Sequence, residues 1–356
     1  MWADRHNRKW LIMGADACIA LATLTLAILM LTGHGSLWLI YAALAVRSAG
    51  AGVQQPAVGA LIPQIVPPSR LLAINGLNQS IQAGMMLVAP AVAALLYANF
   101  AIEAIFFVDV VTAVIGIGLL ALVPVQAVVR TTEPVSYFGD LREGFRYVLG
   151  HPLVRWLLGL NAIVMLLAGA PSMLTPLMVA RTFGEEVWKL TVLELCFSVG
   201  MMLAGATIGL WGNRFSRMGL ILGSTAAFGL FSIGTGLAPN LWVFFGFMFL
   251  FGLAVPVFST PTMTVMQETV EPERQGRVFG FFGIVAAVAM PLGMVVFGPL
   301  SNRLSVEAVL VISGLLTFLV LIIALALPAG RRALAAARDH TDPLARGHAP
   351  EVETVS

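Results

Sequence analysis

Long apolar runs alternate with short polar breaks along almost the whole chain. Ten of the runs approach the roughly 20 residues that a helix needs to cross a bilayer. They lie at about 11–32, 37–62, 72–98, 102–124, 154–180, 187–211, 218–238, 241–266, 277–300 and 305–328. Gly33-His34-Gly35-Ser36, Tyr97-Ala98-Asn99 and Ala238-Pro239-Asn240 separate neighbouring runs with turn chemistry. One break is longer, at 125–153, and carries Arg130, Glu133, Asp140, Arg142, Glu143 and Arg146. Within it Phe138, Leu141, Phe145 and Leu149 recur at three- and four-residue spacing, which predicts a short amphipathic helix along the membrane face. The pattern thus predicts an all-α membrane protein: four spanning helices in 1–124, a linker at 125–153 and six spanning helices in 154–328. Residues 329–356 turn to Arg, Ala, Asp, Pro and Glu and read as a disordered tail.

The two groups of helices repeat one another. Trp2 to Gly14 aligns without a gap against Trp211 to Gly223. Trp2/Trp211, Arg5/Arg214, Arg8/Arg217, Leu11/Leu220, Ile12/Ile221 and Gly14/Gly223 are identical. Downstream, Pro56 and Pro67 face Pro261 and Pro272, with Pro90 and Pro291 a looser pair. A membrane protein built from two like halves reads this way. In the second half the motif follows two helices, whereas in the first it follows only Met1. Symmetry therefore predicts two further helices ahead of the four.

Composition supports a lipid-embedded chain. It is 59% hydrophobic and 11% charged, with a mean hydropathy of +0.92, against about 25% charged residues in soluble chains. The net charge of +2 gives no nucleic-acid footprint. Cys18 and Cys196 sit in apolar runs and predict buried thiols rather than a disulfide framework. The apolar run after Arg5, Arg8 and Lys9 is too long for a cleaved signal sequence. Of the 20 lysines and arginines, Arg181, Lys189 and Arg303 fall on one side and Arg47 inside a span. The rest gather on the other side. The positive-inside rule makes that side cytoplasmic and puts both termini there.

Arg47 lies about ten residues into its span, where a guanidinium needs a cavity or a partner; it is a candidate for coupling or for holding an anionic substrate group, against a structural ion pair. Asp109 and Glu194 enter their spans from the outer side to similar depth, and each is a candidate protonatable group or a water-reached polar residue near a helix start. Asn75, Gln79 and Gln82 share one helix face, as a stripe that either lines a central path or joins helices by hydrogen bonds. Met85, Met86, Met201 and Met202 are core or lipid-facing filler, or an adaptable wall. No Gly-Lys-Ser/Thr phosphate loop, His-Glu-x-x-His or cysteine metal spacing occurs, so neither an enzyme nor an ATP-driven pump is expected, and no metal or cofactor.

Several motifs carry a resemblance. Trp2-Ala3-Asp4-Arg5, with Arg8 and Lys9, is similar to a loop signature between the second and third helices of the major facilitator superfamily. Arg47-Ser48-Ala49-Gly50-Ala51-Gly52 resembles the fourth-helix Arg/Gly motif. Ile62-Pro63-Gln64-Ile65-Val66-Pro67, Ile105-Phe106-Phe107-Val108-Asp109 and Asp140-Leu141-Arg142-Glu143-Gly144-Phe145 resemble the branch containing macrolide exporters and the enterobactin exporter. Ala89-Pro90-Ala91-Val92-Ala93-Ala94 departs from the antiporter signature, with alanine at each glycine. The resemblance implies a two-half helical bundle whose ten spans are helices three to twelve of the usual twelve. It implies a monomeric inner-membrane secondary transporter, working by alternating access on a small-molecule substrate, with protons as partners. Amphipathic drugs are the first substrate class and siderophores the second; a non-transporting membrane protein is the rival. Asp4, Arg5, Arg8 and Lys9, with Arg214 and Arg217 in the repeat, would form a conformational latch on the cytoplasmic face.

Overall fold

The computed structural model describes residues 7–125, 137–326 and Gly330. Its α-helices are α1 (Arg8–Leu31), α2 (Leu37–Ile65), α3 (Leu71–Asn99), α4 (Ile102–Leu122), α5 (Tyr137–Gly150), α6 (Pro152–Met178), α7 (Val187–Trp211), α8 (Arg217–Gly236), α9 (Leu241–Thr269), α10 (Gln275–Arg303) and α11 (Val306–Ala326). No strand occurs among the described residues. Nine helices there are long and apolar enough to cross a membrane. The long helix outside that set is α2, whose 29 residues include Arg47, Gln54, Gln55 and Gln64; at about 1.5 Å per residue it still exceeds the roughly 30 Å of bilayer core. The tail expected at 329–356 lies outside the described residues, Gly330 excepted.

Local chemistry sets the helix starts. Side chains of Asn7, Ser36, Ser216 and Asn240 each accept from a backbone N–H in the first turn. Prolines sit inside α2, α3, α6, α9 and α10, which lipid permits when another group satisfies the carbonyl they release. Pro171 cannot donate to Leu167, and Ser313 of α11 donates to that carbonyl instead, at 3.0 Å.

The helices pair as α1 with α2 and α4, α8 with α9 and α11, and α6 with α10 and α11. The halves meet along α3–α7, α2–α10 and α3–α9. The α3–α7 approach is close because both helices present glycine. A Cβ on Gly205 would stand 2.6 Å from the Gly76 carbonyl and 2.8 Å from Ser80 N. The tightest apolar packing belongs to the second half, where the Phe228 ring meets Phe251 at 5.2 Å and Phe258 at 5.7 Å. Among the described residues the first half contributes a small buried cluster, Ile12, Ala57 and Leu61. Exposed apolar side chains carry no such penalty against lipid tails as they would against water.

The bundle has two unlike ends. Arg8, Lys9, Arg70, Arg214, Arg217, Arg274 and Arg277 gather at the ends of helices on one side, called here the basic end. At the far end Lys189 donates to the Phe183 carbonyl and, at 2.5 Å, to Glu186, tying down a π-helical turn, Val179–Phe183. This hydrogen bond holds the Glu186 carboxyl below its ordinary value.

Gly205→Val is expected to lower the melting temperature of the detergent-solubilised protein, since overpacking costs about 1–3 kcal/mol; an unchanged melt would mean that α3 and α7 do not meet this closely. Because the Glu186 value is depressed on folding, its contribution is present at neutral pH and is lost as pH falls through that value. Glu186→Gln should therefore flatten the acid limb of melting temperature against pH.

Candidate functional site

Between the halves lies a cavity of about 560 Å³. Four helices line it: α2 with Gln55, Gly59 and Ile62; α3 with Asn75, Asn78, Gln79 and Gln82; α9 with Ser259, Thr260 and Met263; α10 with Phe279, Phe282 and Ile284. Its wall carries amides, hydroxyls and apolar groups, with no charged side chain among its lining residues. Gln79 donates to Ser259 across the cavity wall. The Thr260 hydroxyl is buried and has no hydrogen-bond partner among the described residues.

A buried polar network lies between the cavity and the basic end. Pro63 cannot donate to the Gly59 carbonyl, so that carbonyl turns to the other half, where Gln267 Nε2 donates to it at 3.0 Å. Asn75 Nδ2 donates to Gln267 Oε1 at 2.7 Å and to Thr264 Oγ1 at 3.0 Å. Gln275 Nε2 donates to the carbonyls of Gln267 and Val270 at 3.2 and 3.1 Å. Arg8, only 2% exposed, donates to the Ala60 carbonyl at 2.5 Å, to Gln275 Oε1 at 3.3 Å and to the Pro272 carbonyl. One arginine of the first half thereby binds both halves.

The other basic-end residues divide by role. Lys9 Nζ donates to the Ala121 and Val123 carbonyls at 2.7 and 2.8 Å, placing a cation on the C-terminus of α4. Arg217, the repeat of Arg8, stays within its own half, reaching Asn213 at 3.2 Å and Glu268 at 3.4 Å. Arg214 is exposed. Asp4 and Arg5 lie outside the described residues.

The three charged candidates within spans do not converge on the cavity. Arg47 pairs with Asp109 at 3.1 Å, and the Thr23 hydroxyl donates to the same carboxylate oxygen at 3.2 Å. This places an ion pair among α1, α2 and α4, inside the first half. Nearer the basic end, Gln54 donates to Asp16 at 2.6 Å. Glu194 is exposed on α7 and lines neither the cavity nor that ion pair. Of the amide stripe, Asn75 and Gln79 both join helices and line the cavity, and Gln82 lines it. Gln267, Gln275 and Ser259 escaped sequence reasoning; the prolines signalled that carbonyls needed donors, but nothing in the pattern said which donors.

Two like groups of membrane-crossing helices around a shared polar-and-apolar cavity define a membrane transporter. The sequence matches the family described as transmembrane secretion effector over residues 1–354, and the chain belongs to that family, within the major facilitator superfamily. It is 31% identical over 325 residues to macrolide efflux protein A of Streptococcus pyogenes, covering 90% of this chain and 80% of that protein. It is 26% identical over 339 residues to the enterobactin exporter EntS of Shigella boydii, covering 90% and 78%. A bacterial homologue of the iron transporter ferroportin, crystallised in an outward-facing state, shares the fold at a TM-score of 0.68 and 17% identity, covering 90% of this chain and 84% of that one. The protein is a transporter and not an enzyme.

Gln267→Ala strands the Gly59 carbonyl, worth about 1–3 kcal/mol when left buried and unpaired, and leaves the Asn75 amide with Thr264 alone. Cysteine labelling from the basic end, at a reporter placed at Gln79, is expected to rise several-fold in this variant. Labelling that stays at the wild-type level would show that the network does not close that end.

Proposed function

We propose that this protein is a secondary active exporter of small amphipathic compounds, drugs of the macrolide type foremost. The carrying observation is the cavity between the halves, sealed toward the basic end by the Arg8–Gln275–Gln267–Asn75 network. Its apolar wall suits the body of such a compound, while Gln55, Asn78 and Gln82 suit its polar edge. The basic end is cytoplasmic by the positive-inside rule, which puts both termini on the cytoplasmic side of the cell membrane and makes this the state closed to the cytoplasm. Export then follows by rocking of the halves about the cavity, with the Arg8 contacts breaking as the basic end opens.

Coupling is assigned to the Arg47–Asp109 pair, with protons as the ion. Protonation of Asp109 removes its attraction for Arg47 and frees α2, whose other end carries Gly59 and Ala60 into the seal. Substrate and proton would thus occupy separate places, the one between halves and the other within the first half. Asp4, Arg5, Arg8, Lys9, Arg214 and Arg217 form the latch on this reading, with Arg8 as its principal member. The working unit is a monomer in a lipid bilayer. A siderophore exporter is the second reading, favoured by the similarity to the enterobactin exporter.

Cells lacking their own efflux pumps should accumulate less radiolabelled macrolide when they express this chain, and an uncoupler should abolish the difference. Accumulation that expression leaves unchanged would overturn the drug-export reading, and siderophore release from the same cells would favour the second. Arg47→Ala is expected to abolish transport while leaving membrane insertion intact. Full flux in that variant would remove Arg47 from the mechanism.

A further inference from the structure

We propose that α5 is a binding site for anionic phospholipid, with Arg142 and Arg146 taking the headgroup phosphate and Phe145 and Leu149 seated against the acyl chains. The depth of α5 is fixed by its neighbours. Only His151 separates its last residue, Gly150, from the start of α6, and Arg155 of α6 donates to the Leu149 carbonyl at 2.8 Å. Such a helix lies where α6 enters the membrane. Its other flank is held by the second half: Arg277 pairs with Glu143 at 2.7 Å, and the Arg274 guanidinium sits 4.8 Å from the Tyr147 ring centroid. Gly144 and Val148 are buried on that side.

What remains outside is ordered by helix geometry. At about 100° per residue, Phe145 and Leu149 fall on one strip and Arg142 and Arg146 on the strip beside it. Phe145 is 54% exposed and Leu149 45%, and both arginines are exposed. The Phe145 ring also meets Phe281 at 6.2 Å, at the basic end of an apolar row on α10 that continues with the exposed Val288 and Leu292. Phe145 therefore prolongs an apolar wall. An apolar strip bordered by guanidiniums at the entry of a spanning helix matches the two layers of one lipid, chain and phosphate. Arginine's fork of donors suits a phosphate better than lysine's single ammonium. The same helix grips the part of α10 that carries Gln275, Phe279 and Phe282, so lipid bound on its outer flank bears on the closed end of the cavity.

The test uses the full chain in nanodiscs of phosphatidylcholine, titrated with phosphatidylglycerol and followed by melting temperature. Phosphatidylglycerol is expected to raise the wild-type melting temperature. Removing either arginine, as R142Q or R146Q, should increase the phosphatidylglycerol fraction needed for half the shift about fivefold, the usual worth of one basic side chain at an anionic surface. R142Q/R146Q should need more than either, and R142K/R146K should recover part of the response. A double variant that answers phosphatidylglycerol as the wild type does would overturn the proposal. So would an equal shift from soluble glycerophosphate, which would make this a free-phosphate site. Should the double variant fail to fold, the two single variants decide the matter by the same criterion.

Discussion

The polar contact between the halves hangs on one hydrogen-bond donor that is missing. Pro63 leaves the Gly59 carbonyl without its helical partner, inside a membrane where an unsatisfied carbonyl costs several kcal/mol. The nearest donor lies on the opposite half, in Gln267. That side chain then has its own oxygen to satisfy, which it does with Asn75. Gln275 binds the Gln267 carbonyl, and Arg8 binds Gln275. A break in one helix is thus answered by a hydrogen-bonded chain that runs through five helices and joins the halves.

Lipid explains why so few polar contacts suffice. Between apolar helices in a bilayer there is little hydrophobic drive to associate, so close packing and hydrogen bonds decide which helices meet. The α3–α7 contact has both: Gly76 and Gly205 let the backbones approach, and Ser80 donates to the Met202 carbonyl at 2.8 Å. At the basic end, Arg8, Gln267 and Gln275 form a set whose members each hold another in place.

The described charges are partitioned. The cavity wall is neutral, whereas Arg47 and Asp109 compensate each other among α1, α2 and α4. An ion pair in a span needs its partner close by because neither member can be left alone there. A neutral wall, by contrast, leaves ligand binding free of that electrostatic cost. The two places are joined by α2, which carries Arg47 at one level and Gly59 at another.

Helices, repeat and orientation bias were all legible in the chain, because each rests on local or additive properties. Twenty apolar residues in a row have few alternatives to a spanning helix. The alignment of Trp2 to Gly14 with Trp211 to Gly223 is visible without any fold, and it singled out Arg8 before its surroundings were known. The amide stripe Asn75, Gln79 and Gln82 was visible as a stripe, yet its division between seal and cavity was not. Nor did the sequence connect Arg47 to Asp109, or Gly59 to Gln267. In α5, the spacing of Phe138, Leu141, Phe145 and Leu149 announced an apolar face, but the buried line in the structure runs through Gly144 and Val148. Periodicity fixes which residues share a face of one helix. Which face is covered, and by what, depends on partners far apart in sequence, 62 residues for Arg47 and Asp109 and 208 for Gly59 and Gln267, and only the packed bundle brings those together.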